Sequence, residues 1–190
     1  MKRFLSLFLS VLCIVLPLVS FSSCSLKSKE KFKAYYFDYF DTATTIIGYE
    51  KTKEDFDAVC KDITSQLEFY HKLFTIYTSY DDLNNLCTIN KVKNGVHEKV
   101  VVDKAIIDLI LYCKDLYAKS DGKLNIAMGS VLSIWHQYRT EGLNDPSKAK
   151  LPPMDKLKEA ALHTDIEKVI VDEENNTVFI SDPLVKLDVG

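Results

Sequence analysis

Two periodicities alternate along this chain, and together they limit it to a mixed fold. Apolar side chains at Phe56, Val59, Ile63, Leu67, Tyr70 and Phe74 fall three or four residues apart, the spacing of one helix face. Residues 34–49, AYYFDYFDTATTIIGY, instead crowd aromatic and β-branched side chains that alternate in part. They read as one strand or a bent pair of strands. Neither an all-helical nor an all-β architecture accommodates both, so the expected class is α/β or α+β. Hydrophobic residues make up 47% and charged residues 27% of the 190, and the net charge is only −3. That balance supports a folded core and argues against a disordered chain. Acidic residues outnumber basic ones, 27 to 24, which leaves no broad cationic surface for nucleic acid.

The remaining elements follow from caps and turn signals. Thr52 with Asp55 forms a capping pair ahead of a helix over 52–73. A polar loop, TSYDDLNNLCTIN, leads to the turn signal Asn94-Gly95. Val100–Val102 reads as a short strand, and Asp103 caps a second helix reaching Ala118, with Gly122 as its C′ stop. A third helix is expected over 126–139, a loop over 140–153, and a short helix over Met154–Leu162. Val169–Val171 and Thr177–Ile180 read as a hairpin, and Leu184–Val189 as the start of another strand. The chain stops at Gly190 within that strand pattern, an ending expected of a truncated reading frame or a partial sequence.

The amino terminus carries an address. Lys2 and Arg3 precede an apolar run from Phe4 to Val19, too short to span a bilayer and broken by Pro17, followed by small residues. Residues 1–23 therefore read as a secretory signal. The ending Phe21-Ser22-Ser23-Cys24 resembles a bacterial lipobox, in which Cys24 becomes the lipid-modified first residue. The alternative is ordinary cleavage near Ser22 or Ser23, with Cys24 incidental. Residues 24–33 then form a tether and residues 34–190 the domain. Removing 1–23 takes two basic residues and no acidic one, which moves the net charge from −3 to −5. The remaining cysteines, Cys60, Cys87 and Cys113, show no metal-binding spacing and suggest no disulfide framework.

No phosphate loop, dinucleotide fingerprint, HExxH or nucleophile elbow is present. His71, His97, His136 and His163 are scattered, and each reads more readily as a surface or satisfied histidine than as a catalytic base. Two ordered clusters remain: Phe74-Thr75-Ile76-Tyr77 followed by Asp81-Asp82-Leu83-Asn84 and Ile89-Asn90, and Ser120–Gly129, which sets two glycines around a strand-like pair before a helix.

Together these clusters resemble the FAD:protein FMN transferases, the ApbE-type flavin transferases, from about Tyr36 to the last residue. Phe40-Asp41-Thr42 is similar to the family's Met-Gly-Thr, and Tyr77 and Asn90 to its tyrosine and closing asparagine. Asp121–Trp135 is similar to "Gly-Gly-x-Phe-Asp-x-Thr-x-Gly-Pro-Leu … Trp", with Asn125 at the aspartate and Ser130 at the proline. The last four residues are similar to the first half of "Leu-Asp-Leu-Gly-Gly-x-Ala-Lys-Gly".

The resemblance implies the ApbE fold, truncated at its C-terminus. The implied activity splits the FAD pyrophosphate, moves FMN onto a Ser or Thr hydroxyl of an acceptor redox protein and releases AMP, with Mg²⁺ balancing the phosphate charge. It implies that Phe40, Tyr77, Gly122, Lys123, Leu124 and Asp188 contact the nucleotide, while the catalytic and metal-binding residues lie beyond Gly190. Each residue also has a structural reading: core for Phe40 and Tyr77, helix cap for Gly122, solvated side chain for Lys123, strand end for Asp188. Trp135 is either a packing anchor or a stacking surface. With a lipidated Cys24 the protein would sit on the extracytoplasmic side of a bacterial membrane, and the 190 residues alone are not expected to transfer FMN. The competing readings are a non-catalytic flavin- or solute-binding lipoprotein and an inactive remnant.

Overall fold

The computed structural model describes residues 28–190, so the signal segment and Cys24 lie outside the described residues. The chain forms two compact units. Among the described residues, one takes 28–35 together with Thr45–Asp62, the other Tyr36–Thr44 together with Ile63–Gly190. Mixed helices and strands match the expected class.

In the first unit, β1 (Glu30–Tyr36) pairs with β2 (Thr44–Glu50) as a two-stranded sheet. Residues 34–49 thus form the bent pair rather than a single strand. β1 begins inside the expected tether, because the alternation already starts there: Phe32, Ala34 and Tyr36 are half-buried while Lys31, Lys33 and Tyr35 are exposed. Helix α1 (Lys53–Phe74) starts as expected, with the Asp55 amide donating to Thr52 Oγ1 at 3.1 Å. Phe56 on its first turns is buried and stacks on Phe32 with ring centroids 5.6 Å apart.

The second unit holds the main core. Short elements α2 (Leu86–Ile89), β3 (Val92–Lys93) and β4 (Val96–His97) follow the first helix. Asn94 and Gly95 join the last two with φ of 54° and 79°, the double left-handed geometry of a type I′ hairpin turn. Helix α3 (Lys104–Lys119) is capped by Asp103, which accepts from the Ala105 amide at 2.8 Å. It buries Ile106, Ile107, Ile110 and Cys113 in one cluster with Val169, Val178 and Ile180 of the adjoining sheet. Each fully buried isoleucine contributes about 1.5–3 kcal/mol. That sheet is antiparallel in the order β5 (Val100–Val101), β7 (Thr177–Ile180), β6 (Val169–Asp172). Val169 stands opposite Ile180 and Asp172 opposite Thr177.

The end of α3 differs from the expected cap by one residue. Asp121 takes the left-handed C′ position with φ 51°, and Gly122 is C″ with φ 77°. The Gly122 amide reaches Tyr117 O at 2.9 Å and the Asp121 amide reaches Ala118 O at 3.4 Å, the two bonds of a Schellman motif.

Helix α4 (Gly129–Asn144) starts three residues later and runs five further than the sequence pattern predicts. Residues 126–129 are diverted into pairing: the Asp188 amide donates to Ile126 O at 2.8 Å and the Gly129 amide to Lys186 O at 3.0 Å. A backbone making those bonds cannot also begin a helix. The expected loop therefore starts only after Asn144, with a 3₁₀ turn at Pro146–Lys148, and α5 (Met154–Ala160) follows. Leu184 lies in a turn and residues 185–189 form no strand, with a single parallel bridge between Met128 and Lys186.

Gly129 is required by this approach. A Cβ there would lie 2.7 Å from Lys186 O, closer than atoms can sit. Gly129→Ala is expected to push the 184–188 segment off α4 and to cost about 1–3 kcal/mol in chemical denaturation. Unchanged stability would show that the two segments do not meet.

Candidate functional site

One buried asparagine organises the loop that carries Tyr77. Asn85 Nδ2 donates to Lys72 O at 2.9 Å and to Thr78 O at 2.8 Å, while its Oδ1 accepts from the Thr88 amide at 3.0 Å. It therefore ties the end of α1 to the residue after Tyr77 and caps α2 at the same time. The Tyr77 amide bonds Thr75 Oγ1 at 3.2 Å. The tyrosine ring is left 65% exposed, which removes the reading of Tyr77 as a core residue.

A second turn faces it. Tyr39–Thr42 closes with a 3.2 Å bond from the Thr42 amide to Tyr39 O, and its central residues Phe40 and Asp41 have φ of 55° and 50°. This is again type I′ geometry, here built without Asn or Gly. His71 holds it: Nδ1 accepts from the Phe40 amide at 3.0 Å, and the two rings meet edge-on with centroids 5.6 Å apart.

The third side comes from the chain end and α4. Asn90 clamps the backbone of Leu187 from both directions, with its Nδ2 donating to Leu187 O and its Oδ1 accepting from the Leu187 amide, each at 2.8 Å. The next residue, Asp188, is 6% exposed. Its Oδ1 accepts from the Gly190 amide at 3.0 Å, and its Oδ2 lies 3.2 Å from His136 Nε2. A carboxylate only accepts, so Nε2 carries the proton of that bond. Tyr77 Oη sits 3.5 Å from the same nitrogen.

These parts enclose a cleft of about 400 Å³ whose lining includes Phe40, Asp41, His71, Tyr77, His136 and Arg139. The size is that of a small-ligand site, with apolar and aromatic walls and a few polar groups. The Tyr77 phenol is held above its ordinary pKa, first by desolvation and then by the negative charges of Asp188 and Asp41, with Arg139 acting in the opposite sense. Among the described residues no group of three or more His, Cys, Asp or Glu side chains gathers as a metal site. Nor is any helix there long and apolar enough to cross a membrane.

Of the residues named from sequence, Phe40 and Tyr77 line the cleft and Asp188 lies beside it through His136. Gly122, Lys123 and Leu124 belong to the turn that ends α3 and are not among its lining residues. Trp135 is 42% exposed and does not line it either. Asn125 is engaged elsewhere: its Oδ1 accepts from the Ala127 amide and its Nδ2 donates to the distant Thr164 O, each at 2.8 Å. His163 is satisfied as expected, with Nδ1 at 2.8 Å from Asp182 Oδ2, whereas His97 is paired through Nδ1 with Ile89 O at 3.1 Å and its buried Nε2 has no partner among the described residues. His71 and His136 are not mere surface residues: both enter the cleft, as do Asp41 and Arg139. No spacing rule links positions 41, 71, 136 and 139. The one sequence signal for His136 was its place directly after Trp135 at the end of a cluster already singled out.

The model of the ApbE family matches residues 40–190. No curated protein matches the chain significantly. Among solved structures, the ApbE protein from Thermotoga maritima has the same fold with a TM-score of 0.64 at 21% identity, over 84% of this chain and 47% of that one. The flavin transferase ApbE from Vibrio cholerae gives 0.65 at 16% identity over 84% and 48%. The flavinyl transferase ApbE from Pseudomonas stutzeri, in its apo form, gives 0.58 at 17% over 84% and 47%. The chain thus spans about half the length of each of these proteins. With the family model matched over most of its residues, from the Phe40 turn through the Asn90–Leu187 clamp to Gly190, the chain belongs to the ApbE family.

Proposed function

We propose that this chain provides the flavin-nucleotide cleft of an FAD:protein FMN transferase. The observation that carries the reading is the convergence of Phe40, Tyr77, His136 and Arg139 on one cleft, from segments far apart in the chain. The aromatic rings suit a flat heterocycle, and the guanidinium suits a phosphate. In the reaction, an acceptor Ser or Thr oxygen forms a bond to the FMN phosphorus, the bond from that phosphorus to the bridging pyrophosphate oxygen breaks, and AMP departs; the hydroxyl proton goes to a base. Here Phe40 and Tyr77 position the flavin nucleotide. His136 holds a proton at Nε2 against Asp188, which keeps its ring oriented in the cleft.

The Mg²⁺ that the family resemblance implies finds no ligand group among the described residues, so no step is routed through it. As the family resemblance implies, its ligands and the catalytic base are assigned to a part of the family length outside this chain, which spans about half of its solved relatives. The acceptors would be redox proteins outside the cytoplasm, reached by a chain anchored in the membrane through a lipidated Cys24.

Two measurements test this reading. In a version of the chain extended to the length of its solved relatives, Tyr77→Ala is expected to weaken FAD binding roughly two- to tenfold in calorimetric titration, the loss of one ring contact. The melting temperature should hardly change, because Tyr77 is exposed. A large fall in melting temperature with unchanged FAD affinity would return Tyr77 to a structural role. For the anchor, radiolabelled palmitate fed to a bacterial host is expected to label the wild-type chain and not Cys24→Ala; equal labelling of both removes the lipoprotein assignment.

A further inference from the structure

Phe40 and Asp41 both occupy left-handed backbone, which strongly disfavours a bulky side chain such as Phe40 and which aspartate tolerates better. A type I′ turn needs φ above zero at each central residue, and Asn-Gly supplies this most easily. A bulky side chain in that region is a genuine outlier. Here two non-glycine residues sit there in succession. The turn is kept by the Thr42–Tyr39 bond and by His71 on the Phe40 amide. Both side chains are displayed into the cleft. Strain of this kind, retained where a glycine would relieve it, points to a use for the side chains. Phe40 supplies a ring. Asp41 supplies a charge, and that charge is the wrong sign for a ligand carrying phosphates.

We propose that Asp41 is a specificity-determining residue of the cleft: its carboxylate repels phosphate from the Tyr39–Thr42 turn, so that a flavin nucleotide enters with its uncharged ring toward Phe40 and its phosphates toward Arg139. The proposal rests on the flavin reading of the cleft and deepens it. Two features support it. Asp41 and Arg139 line the same cleft with opposite charges, so a ligand with one uncharged and one anionic end has a preferred direction. The buried Asp188 adds a second negative charge felt at Tyr77, on the same side of the balance as Asp41. A phosphate placed near this group meets two carboxylates; a ring imide N–H meets two acceptors.

The test uses the full chain and three probes: riboflavin, FMN and inorganic pyrophosphate, followed by ligand-observed NMR at low and high salt. Asp41→Asn and Asp41→Gly both suit a left-handed backbone, so both variants should fold, and thermal melts check this. At low salt each variant is expected to bind FMN more tightly relative to riboflavin by about three- to tenfold, the scale of one charge acting on a phosphate across a few ångströms. Pyrophosphate affinity should rise in the same sense. The differences should shrink at high salt as screening takes over. An unchanged FMN-to-riboflavin ratio in a folded variant, with flavins binding normally, overturns the role of Asp41 and leaves the flavin reading standing. Tighter pyrophosphate binding in the variants without any flavin binding supports the charge filter and overturns the flavin reading. Weaker riboflavin binding in Asp41→Gly but not in Asp41→Asn would make Asp41 a hydrogen-bonding positioner and overturn the filter. Binding of no probe by any form overturns both.

Discussion

The site depends on a side chain doing the work of a strand. Asn90 presents an amide N–H and a carbonyl oxygen to the backbone of Leu187, 97 residues away, and makes both bonds at 2.8 Å. A neighbouring strand would offer the same donor and acceptor. Each such bond contributes only about 1 kcal/mol net, but leaving buried backbone groups unpaired costs more. On the opposite edge, Ile126 O and the Gly129 amide complete the pairing of the 184–188 segment. Leu187 is fully buried beneath, so this short extended piece has little freedom. Its position places Asp188, which in turn orients His136, which meets Tyr77.

The charges around Tyr77 are unequal by construction. Asp41 comes from a strained turn, Asp188 from the clamped segment and Arg139 from the outer turns of α4. Each is held by a separate element, so their balance is a property of the tertiary arrangement. Desolvation and the two carboxylates together raise the phenol above its ordinary pKa, against the opposing effect of Arg139. A cleft whose aromatic walls carry both an acidic and a cationic side chain can discriminate among ligands by charge. That is a more specific property than the general ability to bind a nucleotide.

Local rules accounted for much of the framework. Helix α3 declared itself through its Asp103 cap and apolar face, and the β6–β7 hairpin through two β-branched runs across a polar turn. The segments whose structure departs from their sequence pattern share a cause. Residues 126–128 look helical by composition, yet their backbone groups are taken by Lys186 and Asp188. Leu184–Val189 looks like a strand, yet it has a side chain as one neighbour and a single bridge as the other. Helix α2 has only four residues and exists because Asn85 and Thr88 satisfy its first turn. In each case the competing partner lies far away in sequence or in a side chain, where periodicity carries no information.

What the sequence determined by itself was the mixed class, the helices with strong caps, and the membership of Phe40, Tyr77 and Asp188 in clusters that resemble one family. Those features are local or motif-like, and local physics or ordered spacing suffices to read them. Only the tertiary structure brought His71 onto the Phe40 amide, set His136 between Tyr77 and Asp188, and turned Asp41 toward the same cleft as Arg139. Those meetings depend on where α1, α4 and the Leu187 segment are held by buried contacts and by Asn85 and Asn90. Side chains that converge from positions 40, 71, 136 and 188 share no period, so their proximity is decided by packing alone.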